Sequence, residues 1–253
     1  MTKLNPPSGN MTVLGTGLCI PDEKVAAQWG FKDCGIDASV LAPMIRRRAS
    51  LATKMAVSAL DQACTRAGSN KDLPVIFVSS VGEMSVTDRL CQSIAAAEFP
   101  LSPTLFHNSV HNTAAGYWSM SVHSMAPMQA MAAWGDGFAL GLLEAWSQLM
   151  TGVPRIMMVC YDESMPASLL PDYQWPSCAV ALVLERDQGQ GNQLSKPYTL
   201  KNTVKNPPVF SAENPAQAGL PLLQAMKNQD MASRQVQIST QPSPWYVDWT
   251  GTR

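Results

Sequence analysis

The chain has 253 residues, 18 Lys and Arg against 19 Asp and Glu, a formal net charge of -1 and 46% hydrophobic residues. That length allows one large domain or two small ones around a sizeable core, and the balanced charge gives no electrostatic case for nucleic acid or an anionic membrane surface. No run of eighteen apolar residues is present, which excludes a transmembrane helix on length, and the opening MTKLNPPSGN lacks the apolar stretch of a signal peptide.

Residues 12–18, TVLGTGL, read as a first strand running into a glycine turn. RRRASLATKMAVSALDQACTRAG (46–68) carries apolar or small residues at helical spacing and stops at Gly68, with Arg46, Arg47 and Arg48 as its solvated flank. VIFVSS (75–80) is a short β-branched strand, and Gly82 and Glu83 open a second helix that runs to about Ala97, before Pro100 and Pro103. A third helix starts near Ser109 or Asn112 and runs to His123. PMQAMAAWGDGFALG then offers a short extended piece, a turn and the start of a helix, DGFALGLLEAWSQLMTG (136–152), apolar on nearly every face. RIMMVCY (155–161) and CAVALVLE (178–185) are strands without polar alternation, so both faces of their sheet should be covered. Strands alternating with helices predict an α/β layered domain with a mostly parallel sheet.

The character changes at Arg186. DQGQGNQLS reads as a polar linker, NPPVFSAENPAQAG as irregular, PLLQAMKNQ as a short helix, and QVQIS and WYVDW as short edge strands. The expected organisation is a domain over 1–185 with an irregular extension, 186–253, packed on it, because Trp245, Tyr246 and Trp249 would be costly to leave in water.

Few residues carry an obvious chemistry. Gly15-Thr16-Gly17 lacks the third glycine and immediate helix of a dinucleotide fingerprint, so it reads as structural. No G-x-S-x-G, P-loop or H-E-x-x-H occurs. His107 and His111 could share a helix face, with His123 or Asp136 completing a zinc site, but His107 lies at or before the helix start and neighbouring amides compete for the imidazoles, so no metal is expected. None of the six cysteines stands where a strand hands over to a buried helix, the place that favours a thiolate, and there is no C-x-x-C; reduced thiols in the cytoplasm fit better than a disulfide framework. Asp136 reads as a cap for the apolar helix, and Asp162 and Glu163 as part of a surface loop after a strand.

Residues 12–185, about two-thirds of the chain, resemble the N-terminal half of a thiolase-fold β-ketoacyl synthase: VLGTGL, IFVSSVGE with its S-x-x-G-E, SPTLFHNSVHNTAAGYWS and the buried helix before RIMMVCYDE follow in order. More closely, the chain is similar to short β-ketoacyl-synthase-like N-terminal-domain proteins found near bacterial aryl-polyene and related fatty-acid-like pathways. The resemblance implies a thiolase-like layered half-fold. It also implies a nucleophilic cysteine at the start of the buried helix, where this chain has Trp134 or Gly135, and two histidines from a second half that this chain does not provide. The segment Phe106, His107, Asn108, His111, Asn112, with Trp134 and Phe138, is then expected to line an acyl-binding or partner-binding surface.

The expected function is a non-condensing, chain-length-factor-like accessory protein without a cofactor. Its expected partners are a second copy or a ketosynthase-type subunit, and an acyl carrier protein. The alternative is an acyl-thioester hydrolase or acyltransferase using His107 or His111 as base, with Asp136 as a further candidate acid or base.

Overall fold

A computed structural model describes residues 9–171, 174–187, 191–200, 213–228, 233–240 and 244–251. In chain order the elements are β1 (Met11–Cys19), α1 (Glu23–Gln28), α2 (Pro43–Arg48), α3 (Leu51–Ala67), β2 (Val75–Val78), α4 (Met84–Ala95), α5 (Pro103–Asn108), α6 (Thr113–Val122), β3 (Met128–Met131), α7 (Gly137–Met150), β4 (Arg155–Asp162), β5 (Cys178–Arg186), β6 (Asn192–Leu194), β7 (Tyr198–Thr199), α8 (Leu220–Lys227), β8 (Arg234–Gln237) and β9 (Trp245–Thr250). Short 3-10 turns precede α7 at Trp134–Asp136 and α8 at Pro215–Gly219.

The strands form one sheet in the order β3-β2-β4-β5-β1-β6-β9-β7, with β8 on β9. Side chains alternate across it, as strand geometry requires. Ile156, Met158, Cys160, Val180, Leu182 and Leu184 face one core with α7 and α8, while Met157, Val159, Tyr161, Ala179, Ala181 and Val183 face the other with α3 and α6. This is the layered α/β architecture that the continuous apolar strands lead one to expect, and it agrees with the thiolase-like fold that the resemblance implies. Its pairing is mixed, however: β2 runs parallel to β3 and β4, and the other described pairs are antiparallel. The cause lies after β4, where no helix crosses over before β5, so β5 must return antiparallel.

Several boundaries differ from the sequence reading. Gly15 and Gly17 lie inside β1, not in a turn after it; a Cβ on Gly17 would stand 1.8 Å from the Ala59 carbonyl oxygen, and one on Gly15 2.3 Å from that of Ala63. The glycines let the strand lie directly on the α3 backbone. The arginine run belongs to its own short helix, α2, because Ala49 turns extended and Ser50 starts α3 afresh by accepting from the Thr53 N–H at 3.0 Å. Residues 103–108 form the separate helix α5, started by Pro103 and the Ser102 hydroxyl. Beyond Arg186, Asn192–Leu194 is not linker but a strand on β1, and β9 is an interior strand holding β6, β7 and β8. Of NPPVFSAENPAQAG only the residues from 213 onward are among those described.

The apolar helix α7 is covered by the sheet and the C-terminal segment together. Phe138, Ala139, Leu142, Ala145 and Leu149 are fully buried, and Gly219 approaches the Phe138 ring so closely that a Cβ there would meet Cε2 at 2.5 Å. Leu140, Leu143, Trp146 and Met150 stay only half-buried. All six cysteines are unpaired and all but Cys91 are buried; burial pushes the Cys19 thiol up to about 12.

Candidate functional site

The turn between β3 and α7 is an elbow. Trp134 sits there with φ +43, a left-handed backbone that is rare and strained for a bulky residue. Three contacts hold it. The Trp134 carbonyl accepts from the Ser80 hydroxyl at 2.9 Å and from the Gly137 N–H, and the indole meets Trp175 edge-on with centroids 6.3 Å apart. Gly135 is buried, its carbonyl accepting from the backbone N–H and hydroxyl of Thr240. Gly137 and Gly141 let α7 settle on β2 and β4; a Cβ on Gly141 would stand 2.6 Å from Val78 Cγ2.

Asp136 does not cap α7, contrary to expectation: its side chain makes no capping bond. The φ and ψ of a true cap are missing because the residue is already in a 3-10 turn, and its carboxyl instead takes side-chain hydrogen bonds from Ser239 and Trp245, with burial raising its pKa. It thus pins the C-terminal segment to the elbow.

Beside the elbow lies a buried acidic junction. Asp162 and Glu163 are fully buried, not surface-exposed. The Asp162 carboxylate accepts from Ser79 Oγ at 2.7 Å, from Ser80 N–H at 3.0 Å and from Val81 N–H at 3.2 Å, fixing the turn between β2 and α4. Burial outweighs these donors and pushes it up to about 6. Asn214 ties the same point to the C-terminal segment, donating to the Asp162 and Pro176 carbonyls at 2.8 and 2.9 Å. Glu83 accepts from the Thr53 hydroxyl at 2.7 Å and Glu163 from the Ser85 N–H at 2.8 Å. His111 reaches this junction too: its Nε2 lies 2.8 Å from the Ser79 carbonyl. A carbonyl only accepts, so Nε2 carries the proton. Nothing in the sequence marks Asn214, although S-x-x-G-E does contain both Ser79 and Glu83.

The other expected residues stand elsewhere. His107 lines a groove of about 460 Å³ with Met44, Ile45, Arg48, Tyr117 and Met120, its ring 6.5 Å from that of Tyr117. Asn108 is buried beneath it and structural, donating to the Arg48 carbonyl at 2.7 Å and accepting from the Tyr117 hydroxyl at 2.9 Å. Phe106 is 68% exposed and Met44 62%; Arg46, Arg47 and Arg48 of α2 are exposed, and Arg48 lines the groove. Asn112 precedes α6 without a side-chain cap bond, and Phe138 is in the core. The candidates therefore divide among the groove (His107, with Asn108 buried beside it on α5), the exposed surface of α5 (Phe106), the acidic junction (His111) and the elbow (Trp134, Asp136). Among the described residues no cluster of three His, Cys, Asp or Glu could hold a metal ion, and no helix is long and apolar enough to cross a membrane.

The sequence model of the family described as beta-ketoacyl synthase, N-terminal domain, matches residues 23–249, which carries the match through β9 almost to its end. Among solved structures, a chain from "Ketosynthase (ApeO) in Complex with its Chain Length Factor (ApeC) from Xenorhabdus doucetiae" is 21% identical with a TM-score of 0.70, over 94% of this chain and 99% of that one. A chain of a type II polyketide synthase acyl-carrier protein in complex with its ketosynthase, AntDE:AntF, is 12% identical with a TM-score of 0.74, over 98% and 100%. A chain of the ishigamide ketosynthase/chain length factor is 15% identical with a TM-score of 0.59, over 75% and 67%. At these identities the likeness speaks for the fold. Curated proteins give no match.

Proposed function

The chain belongs to the beta-ketoacyl synthase N-terminal domain family, and on that premise we propose that it is a non-condensing accessory protein that binds a ketosynthase-type subunit and an acyl carrier protein. The observation that carries this reading is the elbow. In the synthases it resembles, the start of the buried helix bears the cysteine that takes the acyl chain; here the left-handed position holds an indole, and its neighbours Gly135 and Asp136 offer no nucleophile for an acyl-enzyme. The alternative, a hydrolase or acyltransferase with His107 or His111 as base toward water or an incoming nucleophile, draws less support, since the described contact of the His111 ring nitrogens is with the Ser79 carbonyl.

Two surfaces suit partners. β3 is an edge strand, paired to β2 on one side and to no described strand on the other, and the family resemblance implies pairing through a sheet edge. The groove by α2 joins apolar side chains to Arg48, and Arg46 and Arg47 are exposed on the same short helix, a surface that complements an acidic carrier protein bearing an apolar chain. The family's chain-length-factor pairs, named in two of the similar structures, make such a role coherent, and six unpaired thiols suit the cytoplasm.

The test has two arms. Incubation with acyl- and malonyl-carrier protein should yield neither ketoacyl product nor a covalent adduct on the protein, by intact mass. Titration with acyl-carrier protein should give saturable binding that weakens at least tenfold when Arg46, Arg47 and Arg48 are all changed to Glu, because each reversed pair becomes a repulsion. A stable acyl adduct, or binding indifferent to the triple change, would overturn the reading.

A further inference from the structure

β1 is nine residues long, but β6 pairs only with its first three, Met11–Val13. From Leu14 to Leu18 that edge of β1 meets no described strand, and side chains of α3 attend to its peptide groups instead. The Leu18 N–H donates to Gln62 Oε1 at 3.2 Å, and Arg66 Nη1 donates to the Thr16 carbonyl at 2.9 Å. Gln62 and Arg66 stand four residues apart, hence on one face of the helix. The strand thereby holds both side chains in place, and both keep donors to spare. Gln62 Nε2 and the remaining N–H groups of the Arg66 guanidinium have no partner among the described residues.

This edge of β1 lines a cavity of about 540 Å³, a size within the range of roughly 300–1,000 Å³ that small-molecule sites occupy. Part of its lining is apolar: Leu18 and Leu223 are buried, and Phe31 and Met226 are half-buried. The charged part is mostly cationic. Arg66 of α3, Lys32 from the loop after α1 and Lys227 of α8 line the cavity, against the single carboxylate of Asp33. None of the three cations has an ion pair among the described residues. Lys227 donates to the Gly30 carbonyl and lies 5.4 Å from the centre of the Phe31 ring. Three separate segments thus leave a local positive excess in a chain whose formal net charge is -1.

We propose that this cavity binds a small amphipathic carboxylate, an anionic head on a short apolar chain, with Arg66 and the Gln62 amide as donors to the head. A carboxylate is acceptor only, with two oxygens in one plane, and a guanidinium matches that shape with a fork of donors. A neutral ligand of the same length would leave the cations unanswered. Leu18, Phe31, Leu223 and Met226 supply apolar surface for the chain. Donors already tied to a strand lose little freedom when the ligand arrives, so more of the interaction is kept as affinity. An occupant also bridges α3 to α8, and so joins the C-terminal segment to the sheet. The cavity shares no lining residue with the groove beside His107. It stands without the partner-binding reading, and its test uses no partner protein.

Octanoate is the probe, titrated into the whole protein carrying 13C-methyl methionine. The Met226 methyl signal, assigned by its loss in Met226→Leu, should shift saturably. Those of Met44 and Met120, which line the groove beside His107 together with Arg48, should stay in place. Arg66→Gln, at an exposed position of α3, should weaken octanoate by about tenfold or more, as expected for a lost charge-assisted hydrogen bond. The neutral 1-octanol should bind the wild type weaker than octanoate by about the same factor. Should Arg66→Gln fail to fold, the wild-type shifts and the octanol comparison decide. Four results would each overturn the site: a silent Met226, a response of Met44 and Met120 in its place, octanoate affinity indifferent to Arg66→Gln, or octanol binding as tightly as octanoate. Tighter binding of octyl phosphate than of octanoate would overturn the carboxylate assignment.

Discussion

Replacing Trp134 by glycine and, separately, by alanine separates the backbone of the elbow from its side chain. Both changes remove the indole and its edge-on contact with Trp175, a loss of about 0.5–1.5 kcal/mol beyond area burial. They differ only in what the backbone permits. At φ +43 a residue with a Cβ is strained by about 1–2 kcal/mol, and glycine is not. Alanine recovers about 0.4–1 kcal/mol by restricting the unfolded chain. The balance leaves the glycine variant more stable than the alanine variant by about 0.5–1 kcal/mol, the reverse of the ordinary order. Gly116 supplies the control: it is exposed within α6, a Cβ there meets nothing within 4 Å, and Gly116→Ala should stabilise by about 0.5–1 kcal/mol. Equilibrium unfolding in guanidinium chloride measures all of these against the wild type. Equal stability of the two Trp134 variants, or an advantage for alanine, would show that the elbow is not left-handed and would remove the backbone argument for a vacated nucleophile position.

Gly17→Ala should destabilise by about 3 kcal/mol or more, the upper end for overpacking, because the obstacle 1.8 Å from its Cβ is helix backbone that cannot rotate aside; a loss under about 1 kcal/mol in the same assay would mean that β1 does not lie on α3 at this point. Asp162→Asn should flatten the stability–pH curve between about 4 and 6. The sign follows from the folded carboxyl, raised from 3.8 to about 6: it binds the proton more tightly than the unfolded chain, so its contribution is complete below about 4 and lost as pH rises through about 6, roughly 3 kcal/mol in all. Thermal midpoints across that interval, identical in slope for wild type and variant, would contradict it.

How far the residues announced these features depends on how far apart their causes lie. The central strands β4 and β5 could be read because burial on both faces leaves an unbroken apolar run, and α3 could be ended at Gly68 because a left-handed cap there needs glycine. The antiparallel return of β5 could not, since a strand carries no mark of its direction, only of its burial. β6 and β7, three and two residues long, are too short for alternation to register. Gly15 and Gly17 look like a turn until the partner helix is known, because close approach is a property of two segments and not of one. At the site, the fate of Asp162 was hidden for the same reason: its donors are at 79–81, some eighty residues away, and without them a carboxylate after a strand reads as exposed. The positive φ of Trp134 is the least readable of all, because no bulky residue prefers it and only the surroundings impose it.

Those surroundings bear on what the elbow can do. A helix apolar on all sides must be covered on all sides, and in a two-halved fold the second half supplies part of that cover. Here the residues after 213 take over part of the task at the very point where the chemistry would occur. Gly219 presses on Phe138, Thr240 bonds the Gly135 carbonyl, Ser239 and Trp245 hold the Asp136 carboxyl, and Asn214 locks the end of β4 to the cover. Every one of these contacts makes the elbow a structural joint, tightly bonded to the segment above it. A substrate thioester needs the opposite: an open helix start, free N–H groups and a side chain able to attack. The half-buried Leu140, Leu143 and Met150 of α7 and the edge of β3 that no described strand pairs are what the C-terminal segment leaves only partly covered. Association is consequently expected to use surfaces away from the elbow, as the proposed accessory role requires.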